Sequence, residues 1–514
     1  LFFKAVFVLF DLGTLFFLIL LARTWSMEIR HVALYALNPL VLFFVAGQGH
    51  LESVMVFWIA GMLYFLRKQR FPLMFLFLGM ALAIKLSPLF LLPFVANRKN
   101  VSASPFVALP LALYIPYASH GIPFLNGPVL FATEFHFNGL VSTLLSFFLP
   151  GHSGLWMSWF GFAIVLGLIY LFTPNSFRAV YYATCAFVIF VPTLHPWYLM
   201  LLTPFLVFYR STSWIVLHLT ISAALFVQFR YAHTGLWYQS WYVWFIEYLP
   251  FAGCALINFL SGNGNDPARY VDPRRLSIII PTFNEKQNIR ACIDAVPKDP
   301  EIATEIIAVD GGSTDGTVEE MAKVPFVTVV HSPLGRGIQI AKGVQSAAGD
   351  VILVLHADSR PGPAIISMLV RSLRERPDAS GGSFRARYGG SRRRYALTAW
   401  LNNMRTLVTG ISFGDQGQFF RRGVIGDRFP ALKLMEDIEL SFVLKESGSV
   451  LFLPCTIENS PRKWENSGYI RNFLTVVRLS MAYVVKRKFA LLSADCTDFY
   501  ARYYRQPNRP GKAL

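Results

Sequence analysis

The sequence predicts a chain of two classes: a polytopic α-helical membrane domain over 1–260 and an α/β domain with a largely parallel sheet over 275–490. Three observations predict it. Charge is divided unevenly: residues 1–262 hold four Lys, eight Arg, one Asp and four Glu, while the remaining 252 residues hold the other 60 charged residues. The first half is a succession of apolar segments, the pattern of a chain that crosses a bilayer repeatedly. In the second half, short apolar runs end one after another in polar, Gly-rich turns, the pattern of parallel strands whose carboxyl ends line a crevice.

The apolar segments fall at roughly 1–22, 31–46, 51–66, 71–84, 88–96, 101–118, 154–172, 179–192, 197–209, 214–229 and 239–260. The chain opens at Leu1 inside the first of them, beside Lys4 and Asp11. It therefore reads as a fragment whose amino terminus is missing rather than as a signal peptide. The loops alternate in chemistry. One set carries Arg23, Arg30, Arg67, Lys68, Arg70, Arg98, Lys99, Arg178 and Arg210; the other carries His50, Glu52, His120, Glu134, His136, His152, His195 and His233. Basic loops stay in the cytoplasm, so the second set faces outward and the last span returns the chain to the cytoplasm. Ionisable groups beside apolar segments are costly in lipid and mark a site or pathway. Glu52, Lys85 and His195 are the membrane-half candidates, and Lys85, in a break before Pro88, can reach a lipid phosphate. Against this stands the plainer reading that such groups sit in interfacial water, with Trp197 and Tyr198 as interfacial aromatics.

The stretches ALNPLVLFFVAGQGHLE, LAIKLSPLFLLPF and TLHPWYLMLLTPFL resemble polyprenol-phosphate-sugar-dependent membrane glycosyltransferases of the GT-C fold. Such enzymes usually place a catalytic acidic residue in the first outward loop. That loop precedes Leu1, so the resemblance implies a truncated membrane half.

Residues 261–274, rich in Gly, Asn and Pro, are the linker. The strand Arg275–Ile280 then ends at Pro281, Thr282, Asn284 and Glu285, and the strand Ile306–Val309 ends at Asp310, Gly311, Gly312 and Ser313. Two such ends in series make a nucleotide crevice, with Asp310 as an acceptor for a base or ribose. Val351–Leu355 is a third strand and ends at His356 and Asp358. An acidic residue there can hold Mg²⁺ or Mn²⁺ against a diphosphate, with His356 as a second ligand or a hydrogen-bonded strand-end residue. Arg336 opens a helix and can pair with a phosphate. Asp415 and Gln416 precede another strand on the acceptor side. Glu436 and Asp437 are adjacent at a helix start and point in different directions, so one can serve as base while the other orients; Asp437 is the base candidate. Arg462 and Trp464 suit a departing diphosphate. Residues 469–492 form a basic, apolar helix that lies on anionic lipid or packs on the sheet. A tail follows over 491–514.

The motifs PTFNE, VDGGSTDGT, HAD, GDQG, MEDIELS and RKW resemble, in order, family 2 glycosyltransferases of the GT-A (Rossmann-like) fold. The resemblance implies nucleoside contacts at Thr282, Glu285 and Asp310, metal at Asp358, a base at Asp437, and a diphosphate border at Arg462 and Trp464. His356 stands where many members have Asp, which leaves one carboxylate fewer.

The chain totals 514 residues with net charge +17. That basic balance points to a membrane surface and phosphates, and no recognised binding module points to nucleic acid. The five Cys have no metal spacing and read as buried thiols. The function expected is a membrane-bound, inverting glycosyltransferase of the bacterial inner membrane, its α/β domain cytoplasmic. It moves sugar from a nucleotide-sugar to a lipid-linked or glycan acceptor, and the membrane half uses a polyprenyl-phosphate sugar or serves as an anchor. The alternative is a lipid or solute transporter with a regulatory nucleotide-binding domain.

Overall fold

The computed structural model describes residues 2–25, 27–118, 130, 133–236, 240–261, 270–390, 393–425, 429–460, 469–489 and 499. The chain divides into two compact units, Leu1–Pro267 and Ala268–Leu514.

The first unit is helical. Among its described residues, Phe2–Thr24, Ser153–Phe172 and Thr212–Thr234 are long and apolar enough to cross a membrane. A fourth span arises if Ile29–Ala36 and Pro39–Gln48, bent by 47° at the break, count as one. Phe2–Thr24 buries Phe17, Leu18 and Leu21 but leaves Phe3, Leu9, Leu12 and Phe16 exposed, as a lipid-facing helix does. Several expected spans are instead short turns. Segment 88–96 divides into Ser87–Leu91 and Leu92–Val95, segment 101–118 into Val101–Val107, Pro110–Tyr114 and Ile115–Ala118, and segment 197–209 starts as Pro196–Leu201 and Thr203–Leu206. Prolines 88, 93, 105, 110, 196 and 204 explain the breaks, because each removes a backbone donor and crowds the preceding turn. Small residues allow close packing elsewhere: a Cβ on Gly79 would lie 2.3 Å from the Val107 carbonyl oxygen.

The second unit is one mixed sheet between two helical layers. Its strands are β1 (Arg275–Thr282), β2 (Ala303–Asp310), β3 (Val327–His331), β4 (Val351–Val354), β5 (Ser359–Pro361), β6 (Ala379–Tyr388), β7 (Phe419–Arg421) and β8 (Ser449–Asn459). Their order is β3-β2-β1-β4-β7-β6-β8-β5. β3, β2, β1 and β4 are mutually parallel, and β7 runs against β4. The chain steps outward from β1 to β2 and β3, then returns to lay β4 on the other side of β1. The topological switch point therefore falls between the carboxyl ends of β1 and β4.

β1 is buried on both faces, which is why its apolar run is continuous. Leu276, Ile278 and Ile280 pack against Ile289, Ile293, Leu369 and Leu373 in one layer. Ile279 packs with Ile340, Val344, Leu440 and Leu444 in the other. The helix Tyr469–Lys488 buries Leu479, Tyr483 and Val484 and exposes Leu474, Val477 and Met481. The Tyr483 hydroxyl donates to Glu439 at 2.8 Å, so one face of this helix packs on Glu436–Ser447.

Candidate functional site

β1 and β2 end in register, Thr282 opposite Asp310. Their loops are sewn together. The Asn284 N–H donates to Ser313 Oγ at 2.9 Å, the Thr314 N–H to Asn284 Oδ1 at 2.9 Å, and the Glu285 N–H to Thr317 Oγ1 at 2.9 Å. Asn284 sits at φ +53°, a left-handed conformation that a short amide side chain tolerates. Thr282 is buried and its hydroxyl donates to the Val309 carbonyl. Gln339, which the sequence reading passed over, donates through Nε2 to the carbonyls of Thr282 (2.7 Å) and Val309 (2.9 Å) and ties both strand ends to the helix Arg336–Ser346.

Asp310 differs from the free acceptor that the sequence suggests. It is 2% exposed and accepts from the N–H groups of Gly312 (2.9 Å) and Ser313 (3.1 Å). Its carboxylate is committed to shaping the loop, a local Asx turn that an apolar-run reading does not resolve. Glu285 accepts from Asn288 Nδ2 at 2.6 Å.

A second cluster gathers residues about a hundred positions apart. Arg336 donates through Nε to Glu436 and through Nη2 to Asp437 Oδ2 at 3.1 Å. The two carboxylates therefore converge on one guanidinium, which corrects the expectation that adjacent side chains diverge here. The reason is Met435, whose φ of +72° turns the chain just before the helix Glu436–Ser447. Gly337 permits the approach, since a Cβ there would lie 2.3 Å from the Leu432 carbonyl oxygen and 2.9 Å from Glu436 Cβ. The Gly414 N–H donates to Asp437 Oδ2 at 3.0 Å, and the Ile438 N–H to Oδ1 at 2.8 Å. Glu436 is 1% exposed, and its Oε2 has no partner among the described residues. Burial pushes its carboxyl up to about 7; the Asp437 charge adds to this and Arg336 opposes it. Arg336 thus pairs with both carboxylates in this structure.

Asp415 and Gln416 face inward. The Tyr388 hydroxyl and Asn402 Nδ2 (3.2 Å) both donate to Asp415. Gln416 is fully buried, and its Oε1 accepts from Thr406 (2.7 Å), Arg405 (3.0 Å) and the Phe413 N–H (3.1 Å). Both residues build the turn that presents Gly414 to Asp437; Gln416 is buried, and Asp415 is partly buried. Tyr388, Asn402 and Arg405 carried no motif, and only their tertiary contacts show their part.

Asp358 lines a cavity with Asn288, Cys292, Ser359, Glu458 and Asn459. The His356 ring lies against Gly414, where a Cβ on that glycine would be 2.4 Å from Nε2. Among the described residues no three His, Cys, Asp or Glu side chains are placed to hold a metal ion together. Arg462 and Trp464 lie outside the described residues. Four Cys are free thiols, and Cys292 is buried beneath the strand end with its thiol pushed up to about 12 by burial and the Asp358 charge.

In the first unit, Glu52, Lys85 and His195 come together. Glu52 accepts from His50 Nδ1 at 2.9 Å and from Lys85 Nζ at 3.2 Å. Lys85 Nζ stands 3.6 Å over the Tyr198 ring. Trp197 stacks with both His50 and His195, each with its ring centroid at 4.4 Å. Trp197 and Tyr198 are therefore part of this cluster and are not interfacial aromatics alone.

Comparison with known proteins finds a match in each unit. Residues 277–436 match the family model of glycosyl transferase family 2, and residues 1–99 match that of the alpha-(1->6)-mannopyranosyltransferase N-terminal domain. A segment of the second unit is thus similar to family 2 glycosyltransferases and a segment of the first to a mannopyranosyltransferase N-terminal domain, and the first unit holds helices long and apolar enough to cross a membrane. The undecaprenyl-phosphate 4-deoxy-4-formamido-L-arabinose transferases of Yersinia pestis (strain Pestoides F) and Yersinia pseudotuberculosis serotype O:3 are 30% identical to it over 158 residues, 29% of this chain. The chain spans about half the length of these curated relatives, 48%. Among solved structures, a mannosyltransferase from Pyrobaculum calidifontis in complex with GDP-Man and Mn²⁺ has 18% identity and a TM-score of 0.35, covering 56% of this chain and 80% of that one. Glucosyl-3-phosphoglycerate synthase from Mycobacterium tuberculosis has 18% identity and a TM-score of 0.30, covering 42% and 80%.

Proposed function

We propose that the second unit transfers a sugar from a nucleotide-sugar to a lipid-linked or glycan acceptor, with Asp437 as the base. One observation carries this reading: Asp437 is fixed beside the switch-point crevice by Arg336, Gly414 and Ile438, within a segment that matches the family 2 transferases. Oδ1 takes a single N–H from Ile438 and keeps a lone pair for the proton of an attacking hydroxyl. Glu436 holds the other edge of Arg336 and orients it. The loops after β1 and β2 receive the nucleoside through Thr282, Asn284, Glu285 and the backbone of Gly311, Gly312 and Ser313, with Arg462 and Trp464 at the diphosphate. Direct attack assisted by one base inverts the anomeric carbon.

Asp358 is the carboxylate for Mg²⁺ or Mn²⁺; such ions need one or two carboxylates when phosphate oxygens complete the shell. The His356 ring beside Gly414 favours its reading as a strand-end residue. The ion, when bound, neutralises charge that develops on the departing diphosphate.

The basic loops support a cytoplasmic position for this unit, and a bacterial inner membrane completes the reading. The membrane unit then uses a polyprenyl-phosphate sugar, a reading favoured by the joining of Glu52, Lys85 and His195 in one cluster. Both matched models describe transferases, and nothing supports the transport alternative.

The test is a mass-spectrometric screen of nucleotide-sugars against lipid extract with the full chain in membranes. Transfer should require a divalent ion, and Asp437→Asn should lower it by about 10²–10⁴-fold. Undiminished transfer by that variant refutes the assignment of the base.

A further inference from the structure

His50 occupies an unusual place in the first unit. The helix before it is π-helical over Leu42–Gln48, and it stops at Gly49, whose φ is +76°. Single π-helical turns are rare and recur at functional sites. The sequence reading quoted His50 only as a loop residue.

The chemistry around it is directional. Lys85 lies 3.2 Å from Glu52, so the Glu52 carboxylate accepts hydrogen bonds on both oxygens. His50 Nδ1, 2.9 Å from Glu52 Oε2, must then carry the ring hydrogen. Nε2 is left with its lone pair, on a side chain that is 26% exposed. Among the described residues nothing bonds to Nε2. Trp197 fixes the ring plane by stacking at 28°. His195 also stacks on Trp197, at 6°, so the indole helps to hold both imidazoles. Lys85 is about one third exposed, at 32%, beside a buried Glu52, so its ammonium can also meet an incoming anion.

We propose that His50 is the general base of a second glycosyl-transfer site in the membrane unit, positioned by Glu52, with Lys85 facing the phosphate of a lipid-linked donor. This rests on the reading that the unit uses a lipid-phosphate sugar. In the step, the acceptor hydroxyl oxygen bonds to the anomeric carbon and its proton passes to Nε2. The bond from that carbon to the phosphate oxygen breaks, and the lipid phosphate leaves with the electron pair beside Lys85. His50 is the catalytic residue; Glu52 acts through it.

The experiment uses the full chain in liposomes with radiolabelled undecaprenyl phosphomannose as donor and octyl α-mannoside as acceptor. His50→Gly should lower transfer by at least about 100-fold, and added imidazole should restore part of it. Glu52→Gln should lower kcat by about 10-fold or more with KM held, as expected of a group that orients a base. A His50→Gly variant with the wild-type rate, or with a loss that imidazole leaves unchanged, overturns the proposal. Absence of transfer by the wild type overturns it together with the lipid-donor reading. Charging of undecaprenyl phosphate from nucleotide-sugars, followed in the same liposomes, shows separately whether the family 2 reading has failed.

Discussion

Glu436→Gln isolates the energetics of the carboxylate pair at Arg336. The Glu436 carboxyl titrates at about 7, against an ordinary 4.5. The folded protein therefore holds this proton more tightly than the unfolded chain does. Its stabilisation is present in full below about 4.5 and is lost as pH rises through about 7. The difference corresponds to about 3 kcal/mol. For a unit of this size that is about 6–12 °C of melting temperature. Gln has similar shape, can still accept from Arg336 and cannot titrate. The assay is thermal melting of the full chain in detergent between pH 4.5 and 8, comparing wild type with variant. Subtraction cancels every other titrating group, so the wild-type transition should fall more steeply across this window. Parallel curves would mean that Glu436 is ionised throughout, and the account of its burial would be wrong.

Three further outcomes follow from the packing. Gly337→Ala should destabilise by about 1–3 kcal/mol, because its methyl meets the Leu432 carbonyl and the Glu436 Cβ, and melting in detergent reads it. Tyr388→Phe should cost about 1.5–3 kcal/mol by removing a donor to a charged group, and transfer should fall as the Gly414 turn loosens, measured by urea unfolding and by the transfer assay. Lys85→Met should cost on the order of 2 kcal/mol, below the loss for a fully buried pair because Lys85 is partly exposed, and the shift is read in the helical unit's melting transition.

The sheet of the second unit was largely legible. β1, β2 and β4 are continuous apolar runs because both faces are covered, and each run stops where the crevice begins. Their order was not legible, since apolar runs carry no information on neighbours. The convergence of Arg336 with Glu436 and Asp437 was hidden for a related reason. It depends on a left-handed Met435 and on a bare Cα at Gly337, features that belong to the folded backbone. Asp310 and Asp415 were legible as polar residues at strand ends, but which way each carboxylate turns is decided by N–H groups and by Tyr388. In the first unit hydropathy found apolar segments, yet proline decided which of them could run long enough to span.

The stitching of the two strand-end loops has a mechanical consequence. Asn284 takes one bond and gives another across the gap, and Thr317 fastens Glu285 from the same side. Neither loop can then shift alone without breaking these three hydrogen bonds.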